Sequence, residues 1–314
     1  MKKLFLTLLI FVILSLVSSY IFITDKIEIG KVDLISANKR IAYRCLTQKD
    51  LLQQILKDNE STPSNDSTYF LKHNDIAFQF KEGMFDVIEA SISYKNLQLN
   101  SFISFTELSL DSAGVEWKTE MKMSNNPVKR IQQYLQANKI HKSMSFVLKE
   151  LKQFVSNKKN VYDLTIQRAL VTDSLLVTTK TITKNYPPPQ EYYNLIKKLQ
   201  DYIAANGASS ANYPMLNIAE IDSNNIAITV AVPINKVLPD KGNIFFKRMF
   251  PGNILTAEVK GGVYAIREGF KQLNHYVSDY QLVPPAIPFQ SLVTNRLMET
   301  DTSKWMTKLY FPIY

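Results

Sequence analysis

Leu195–Ile203 reads Leu-Ile-Lys-Lys-Leu-Gln-Asp-Tyr-Ile, and Phe270–Val277 reads Phe-Lys-Gln-Leu-Asn-His-Tyr-Val. Leu199, Tyr202 and Ile203 of the first fall on Leu273, Tyr276 and Val277 of the second at a constant spacing of 273 − 199 = 74. Apolar residues so spaced mark one face of a helix. Pro214 falls on Pro288 at the same 74. Each helical stretch leads to that proline, then an acidic turn, then a strand. The first strand is Ile226–Ile234, ending Val-Pro-Ile; the second is Trp305–Ile313, ending Phe-Pro-Ile. Pro233 falls on Pro312 at 312 − 233 = 79, so the second copy carries a longer turn. A repeat of this size is one supersecondary unit used twice. Two such units can close a cleft between them, a default place for a small ligand.

Upstream of the repeat the pattern is different. Lys31–Ile35 alternates apolar and polar, Asp50–Leu56 has helical spacing, and Glu60–Ser67 is a Ser/Asn/Asp/Pro loop. Strand-like runs follow at Ile76–Phe80, Phe85–Tyr94, Leu97–Phe105 and Val115–Met123. In the last, Val115, Trp117, Thr119, Met121 and Met123 alternate with Glu116, Lys118, Glu120 and Lys122, which places one set in a core and the charges in solvent. After Asn125-Asn126-Pro127 the period changes to about 3.6. Asn126 can cap a helix, Pro127 suits its first turn, and Met144, Val147, Leu148, Leu151 and Val155 share one face. An antiparallel sheet closed by a long helix is an α+β arrangement.

The chain opens with Lys2 and Lys3 before Leu4–Ile23, which contains no charge. Twenty such residues in a helix span roughly 30 Å, the thickness of a bilayer's hydrocarbon core. The expectation is a single-pass inner-membrane anchor over residues 1–25 with the rest of the chain extracytoplasmic. The alternative is a signal segment cleaved near Val17-Ser18-Ser19, with release to the periplasm. The expected division of the remainder is 26–165 and 170–314.

Composition narrows the function. The net charge is +9, but the lysines interleave with acids and no basic run is longer than a pair such as Lys158-Lys159, which speaks against nucleic acid as a partner. Cys45 is the single cysteine, so no internal disulfide and no thiolate metal site can form. His73, His141 and His275 sit in no metal-ligand spacing. Glu116 and Glu120 alternate with lysines as a solvated ladder. No phosphate-binding glycine loop and no nucleophile elbow is present. No catalytic residue, metal or cofactor is therefore expected.

Two resemblances follow from these residues. Residues 26–165 resemble a divergent START-related (SRPBCC) helix-grip domain, through Ile27–Ala37, the strand meander, the charged-alternating strand with Trp117 and the long final helix; Asn38 stands where that family commonly has proline. Residues 170–314 resemble the GyrI-like effector-binding domain of multidrug-responsive regulators. That likeness is carried by Gly261-Gly262-Val263-Tyr264 before a helix, by Trp305-Met306-Thr307-Lys308-Leu309-Tyr310-Phe311-Pro312-Ile313 as a closing strand, and by the duplicated βαββ repeat. Chains joining these two domain types behind a membrane anchor form a bacterial arrangement that this sequence is similar to.

The second resemblance implies an aromatic pocket between the repeats that binds a bulky hydrophobic molecule. Tyr264, Trp305, Lys308, Tyr310 and Tyr193 are its candidate residues. The family often has a glutamate at the position of Lys308, where it meets cationic ligands; a lysine pointing inward would favour an anionic or carbonyl-bearing ligand instead. Alternation puts Lys308 and Tyr310 on one strand face and Leu309 and Phe311 on the other, with the pocket side left open. The function expected is a membrane-anchored, non-enzymatic small-molecule-binding protein. The alternative is a hydrolase- or cyclase-like enzyme, since both resembled families include enzymes. Protein partners are left open by the sequence.

Overall fold

A computed structural model describes residues 9–11, 14, 17–18, 20, 22–55, 63–64, 68–84, 86–172, 175–249 and 251–314. The chain divides into two compact units, Met1–Asn157 and Lys158–Tyr314.

The first unit runs β1 (Lys26–Ile35), α1 (Lys39–Thr47), α2 (Lys49–Ile55), β2 (Pro63–Ser64), β3 (Thr68–His73), β4 (Ile76–Glu82), β5 (Ile88–Tyr94), β6 (Leu97–Ser109), β7 (Ser112–Lys122) and α3 (Pro127–Val155). Its strands form one antiparallel sheet in the order β1-β7-β6-β5-β4-β3-β2, so the first strand pairs with the last. Of the expected loop Glu60–Ser67, only Pro63 and Ser64 fall among the described residues, as β2; Leu56 and Phe85 lie outside them.

The alternation in β7 sets the core. Val115, Trp117, Thr119, Met121 and Met123 are all buried. Phe78 and Phe80 pack on Trp117 with ring centroids 5.1 and 5.8 Å away. The Trp117 Nε1–H donates to Ser101 Oγ at 2.9 Å, which satisfies the one polar atom of a fully buried indole. Helix α3 packs against β1. Asn126 Oδ1 accepts from the Val128 and Lys129 amides at 3.0 and 3.1 Å, with Pro127 in the first turn, and Met144, Val147, Leu148, Leu151 and Val155 line the buried face.

The expected membrane anchor is corrected. Among the described residues no helix is long and apolar enough to cross a membrane. Much of Leu4–Ile23 lies outside the described residues, but its end belongs to the first unit. Buried Arg130 of α3 donates to the Ile23 carbonyl from Nε at 3.1 Å and Nη2 at 2.6 Å, and to Asp25 Oδ1 at 2.7 Å. Its guanidinium also lies 5.1 Å from the centre of the Tyr20 ring, and the Tyr20 hydroxyl donates to the Asn125 carbonyl.

The second unit runs α4 (Lys158–Tyr162), β8 (Gln167–Leu170), β9 (Leu175–Thr183), α5 (Pro189–Ala205), β10 (Met215–Asp222), β11 (Asn225–Pro233), β12 (Phe245–Arg248), β13 (Asn253–Lys260), α6 (Val263–Asp279), β14 (Phe289–Leu292), a 3-10 turn (Thr302–Lys304) and β15 (Met306–Ile313). The sheet is antiparallel, in the order β12-β9-β11-β10-β14-β15-β13-β8. Two copies of a βαββ unit, β9-α5-β10-β11 and β13-α6-β14-β15, meet at the β10/β14 seam. Read outward from that seam, each copy presents its strands in the same order. Helices α5 and α6 begin and end 74 residues apart, from 263 − 189 and 279 − 205. At the seam Leu216 pairs with Gln290, again 74 apart, so each meets its own counterpart.

Both helices cover the same face of the sheet. Tyr192, Ile196, Leu199 and Ile203 of α5 pack with Leu216, Ile228, Val230 and Leu292. Helix α6 lies tight on the sheet: a Cβ on Gly269 would sit 2.6 Å from Leu309 Cδ1 and 2.9 Å from Val259 Cγ2. The matching position in α5 is Leu195. Before α6, Gly261 has φ +135°, and a Cβ there would meet that of Ala265 at 2.8 Å, so the turn into the helix requires glycine. The opposite sheet face carries a smaller cluster of Leu176, Met215, Ala231, Ile254 and Phe289, with Tyr310 beside it.

Candidate functional site

A cavity of about 300 Å³ opens where the two repeats meet, on the helix face of the sheet. That is the lower end of the size range of small-molecule sites. Leu216 and Ile218 of β10 and Ile226 of β11 form one apolar side; Ile266 and Phe270 of α6 and Pro288 form the other. The polar residues are Tyr186, Asn217, Glu220, Arg267 and Gln290. Asn217 is committed to the seam, where its Nδ2 donates to the Pro288 carbonyl at 2.8 Å. Glu220 is exposed.

Behind Gln290 lies Arg296, only 5% exposed. Its Nη2 donates to Gln290 Oε1 at 2.7 Å and to Thr307 Oγ1 at 2.9 Å, and its Nη1 to the Tyr192 hydroxyl at 3.4 Å. The indole of Trp305 lies 4.8 Å from the guanidinium and the Tyr192 ring 5.9 Å. The Arg296 Nε is buried without a hydrogen-bond partner. Among the described residues no carboxylate pairs with Arg296, so this charge is held by neutral oxygens and aromatic faces. Burying a cation this way is costly, and several contacts share the cost.

Arg267 supplies a second cation at the cavity, 4.8 Å from the centre of the Tyr186 ring. Burial raises the pKa of the Tyr186 phenol, and the charges of Arg267 and Arg296 partly offset that rise. Burial likewise raises the phenols of Tyr192 and Tyr193, against the pull of Arg296. All three stay protonated donors near neutral pH.

The predicted site residues separate into three places. Tyr193 and Trp305 both meet Arg296: the Tyr193 hydroxyl accepts from the Arg296 amide at 3.0 Å, and Trp305 is buried with its Nε1–H donating to the Glu299 carbonyl at 2.9 Å. Lys308 and Tyr310 point to the sheet face away from the helices. Tyr310 stacks on Phe289 at 4.9 Å, and the Lys308 ammonium lies 5.7 Å from the Tyr310 ring. Tyr264 is 82% exposed at the start of α6. None of the five lines the cavity. Arg267, Arg296, Gln290 and Tyr186 were not singled out by sequence. For Arg296 a signal existed, because it lies in the longer turn of the second copy.

No protein-family model and no curated protein matches the chain. Among solved structures the chain is similar to the EcmrR C-terminal domain, at 19% identity over 48% of this chain and 98% of that one, with a TM-score of 0.42. It is also similar to SAV2435 bound to tetraphenylphosphonium, at 18% identity over 48% and 94%, with a TM-score of 0.33. A hydrolase from Listeria innocua shows 8% identity over 48% and 92%, with a TM-score of 0.36.

Proposed function

We propose that the second unit binds a hydrophobic small molecule, without chemistry, in the cavity between its two βαββ copies. The observation that carries this reading is the cavity itself: about 300 Å³, walled by Leu216, Ile218, Ile226, Ile266 and Phe270 and edged by a few polar groups at the joint of a duplicated fold. Apolar walls with sparse polar groups are what ligand sites offer. The sequence resemblance to GyrI-like effector-binding domains supports the same reading. Among the described residues no group of His, Cys, Asp or Glu could hold a metal ion.

The test is native mass spectrometry of the full chain purified without denaturant, compared with Ile218→Trp, which fills the cavity. Retained small molecules that vanish in Ile218→Trp are expected. A full chain that retains nothing, and that binds no member of an apolar-dye panel more tightly than the filled variant, would overturn the reading.

A further inference from the structure

We infer that the ligand of this cavity is an anion, a hydrophobic carboxylate with one or two rings; the inference rests on the cavity being a ligand site. The argument starts from Gln290. Arginine only donates hydrogen bonds, so the Gln290 atom 2.7 Å from Arg296 Nη2 must be the amide oxygen. That contact fixes the orientation of the amide and turns its NH2 group away from Arg296. Gln290 lines the cavity, and in the inferred complex its NH2 group is the donor offered to the ligand. The Tyr186 phenol adds a hydroxyl, and Arg267 adds a guanidinium. Three donor-bearing groups thus line one apolar space together with one carboxylate, Glu220; Glu220 and Arg267 are both exposed and offset each other in charge, so the buried Arg296 decides the sign of the field.

Charge adds to geometry. Arg296 is buried with no carboxylate partner among the described residues and with its Nε unsatisfied. A buried cation without a counterion leaves a net positive field across the short Gln290 side chain, at lower effective dielectric than bulk water. A carboxylate in the cavity meets that field favourably, and an ammonium meets it unfavourably. Size limits the rest: 300 Å³ corresponds to roughly ten waters of liquid volume, enough for a bicyclic ring system. The positive charge comes from the loop after β14 and from α6, not from Lys308, which lies on the other face of the sheet.

The experiment uses three isosteric probes on the full chain, with affinities from calorimetry: 2-naphthoate, 2-naphthamide and 2-naphthylmethylammonium. The expected order is naphthoate tighter than naphthamide by about tenfold or more, and the ammonium weakest. Arg267→Gln, at an exposed position that should not disturb folding, is expected to weaken naphthoate about fivefold or more and leave naphthamide unchanged. Naphthamide equal to naphthoate, or the ammonium binding best, would overturn the anion inference while leaving a small-molecule site in place. No change in naphthoate affinity for Arg267→Gln would also overturn it. Failure of all three probes would overturn the inferred ring-bearing carboxylate, while the ligand site itself is decided by the native mass spectrometry and dye panel.

Discussion

Arg296 and Gln290 are joined by a 2.7 Å hydrogen bond in which a buried guanidinium relies on a neutral amide oxygen. The pair stands six residues apart across the end of β14, and it fixes the position of an otherwise rotatable cavity wall. Removing the acceptor should be expensive. Gln290→Leu is expected to lower the stability of the second unit by about 2–3 kcal/mol, because a charged donor loses its best partner inside the protein. Gln290→Glu should do the reverse, supplying the missing counterion, and should reduce the preference for naphthoate over naphthamide. Urea titration of the three proteins checks the first; the same probe affinities check the second.

Helix α6 has no room over Gly269. Gly269→Ala places a methyl 2.6 Å from Leu309 Cδ1 and 2.9 Å from Val259 Cγ2, so the helix must shift or the strand side chains must leave their rotamers. The expected cost is about 1–3 kcal/mol, in spite of the better helix propensity of alanine. Leu195→Ala, at the equivalent point of α5, creates no clash. A stabilised Gly269→Ala in thermal unfolding would show that α6 moves freely on the sheet.

His73 gives the first unit a pH dependence. Its ring stacks on Phe146 at 4.0 Å, and its Nδ1 hydrogen-bonds Ser143 Oγ at 3.0 Å. Burial lowers its pKa below the usual histidine value. The unfolded chain therefore takes up a proton at higher pH than the folded one. The contribution is fully present above about pH 6.5 and is lost as pH falls through the lowered folded value. Chemical denaturation of the first unit should show a midpoint that drops between about pH 7 and pH 5. His73→Phe, which keeps the stack, should flatten that drop; an unchanged slope would assign it to other groups.

Each unit has its own sheet and core, so each should fold alone. A fragment spanning 158–314 keeps β8, which completes the sheet edge beside β13. It is expected to unfold in one cooperative transition, with probe affinities equal to those of the full chain. Gradual, non-cooperative loss of its circular dichroism would move the boundary.

Much of this architecture was legible because it rests on periodicity. The alternation of Val115–Met123 reports a half-buried strand, and the 74-residue spacing reports the duplication. The site was less legible for a physical reason. Tyr264, Trp305, Lys308 and Tyr310 belong to motif-like steps, yet alternation alone cannot say which face of a strand lies under the helices. Packing decides that: Leu309 goes beneath Gly269, and Lys308 turns away. Arg296 belongs to no periodic pattern, since it sits in a loop. What makes it matter is burial, through contacts with Tyr192, Trp305 and Thr307 that are distant or unpatterned in sequence. Helix α1 was also missed, because Lys39–Thr47 mixes charged and apolar residues over only nine positions.

The pairing of Leu216 with Gln290 implies how such a unit could originate. An antiparallel contact in which a residue meets its own counterpart is the isologous contact of a two-fold dimer. A lone βαββ copy would expose the β10-type edge, and an open strand edge invites pairing with another chain. Two identical copies would satisfy each other there at the cost of a concentration-dependent association. Joining them in one polypeptide removes that dependence. It also frees the two halves to diverge, so that one side of the seam can present a leucine and the other a glutamine anchored to an arginine.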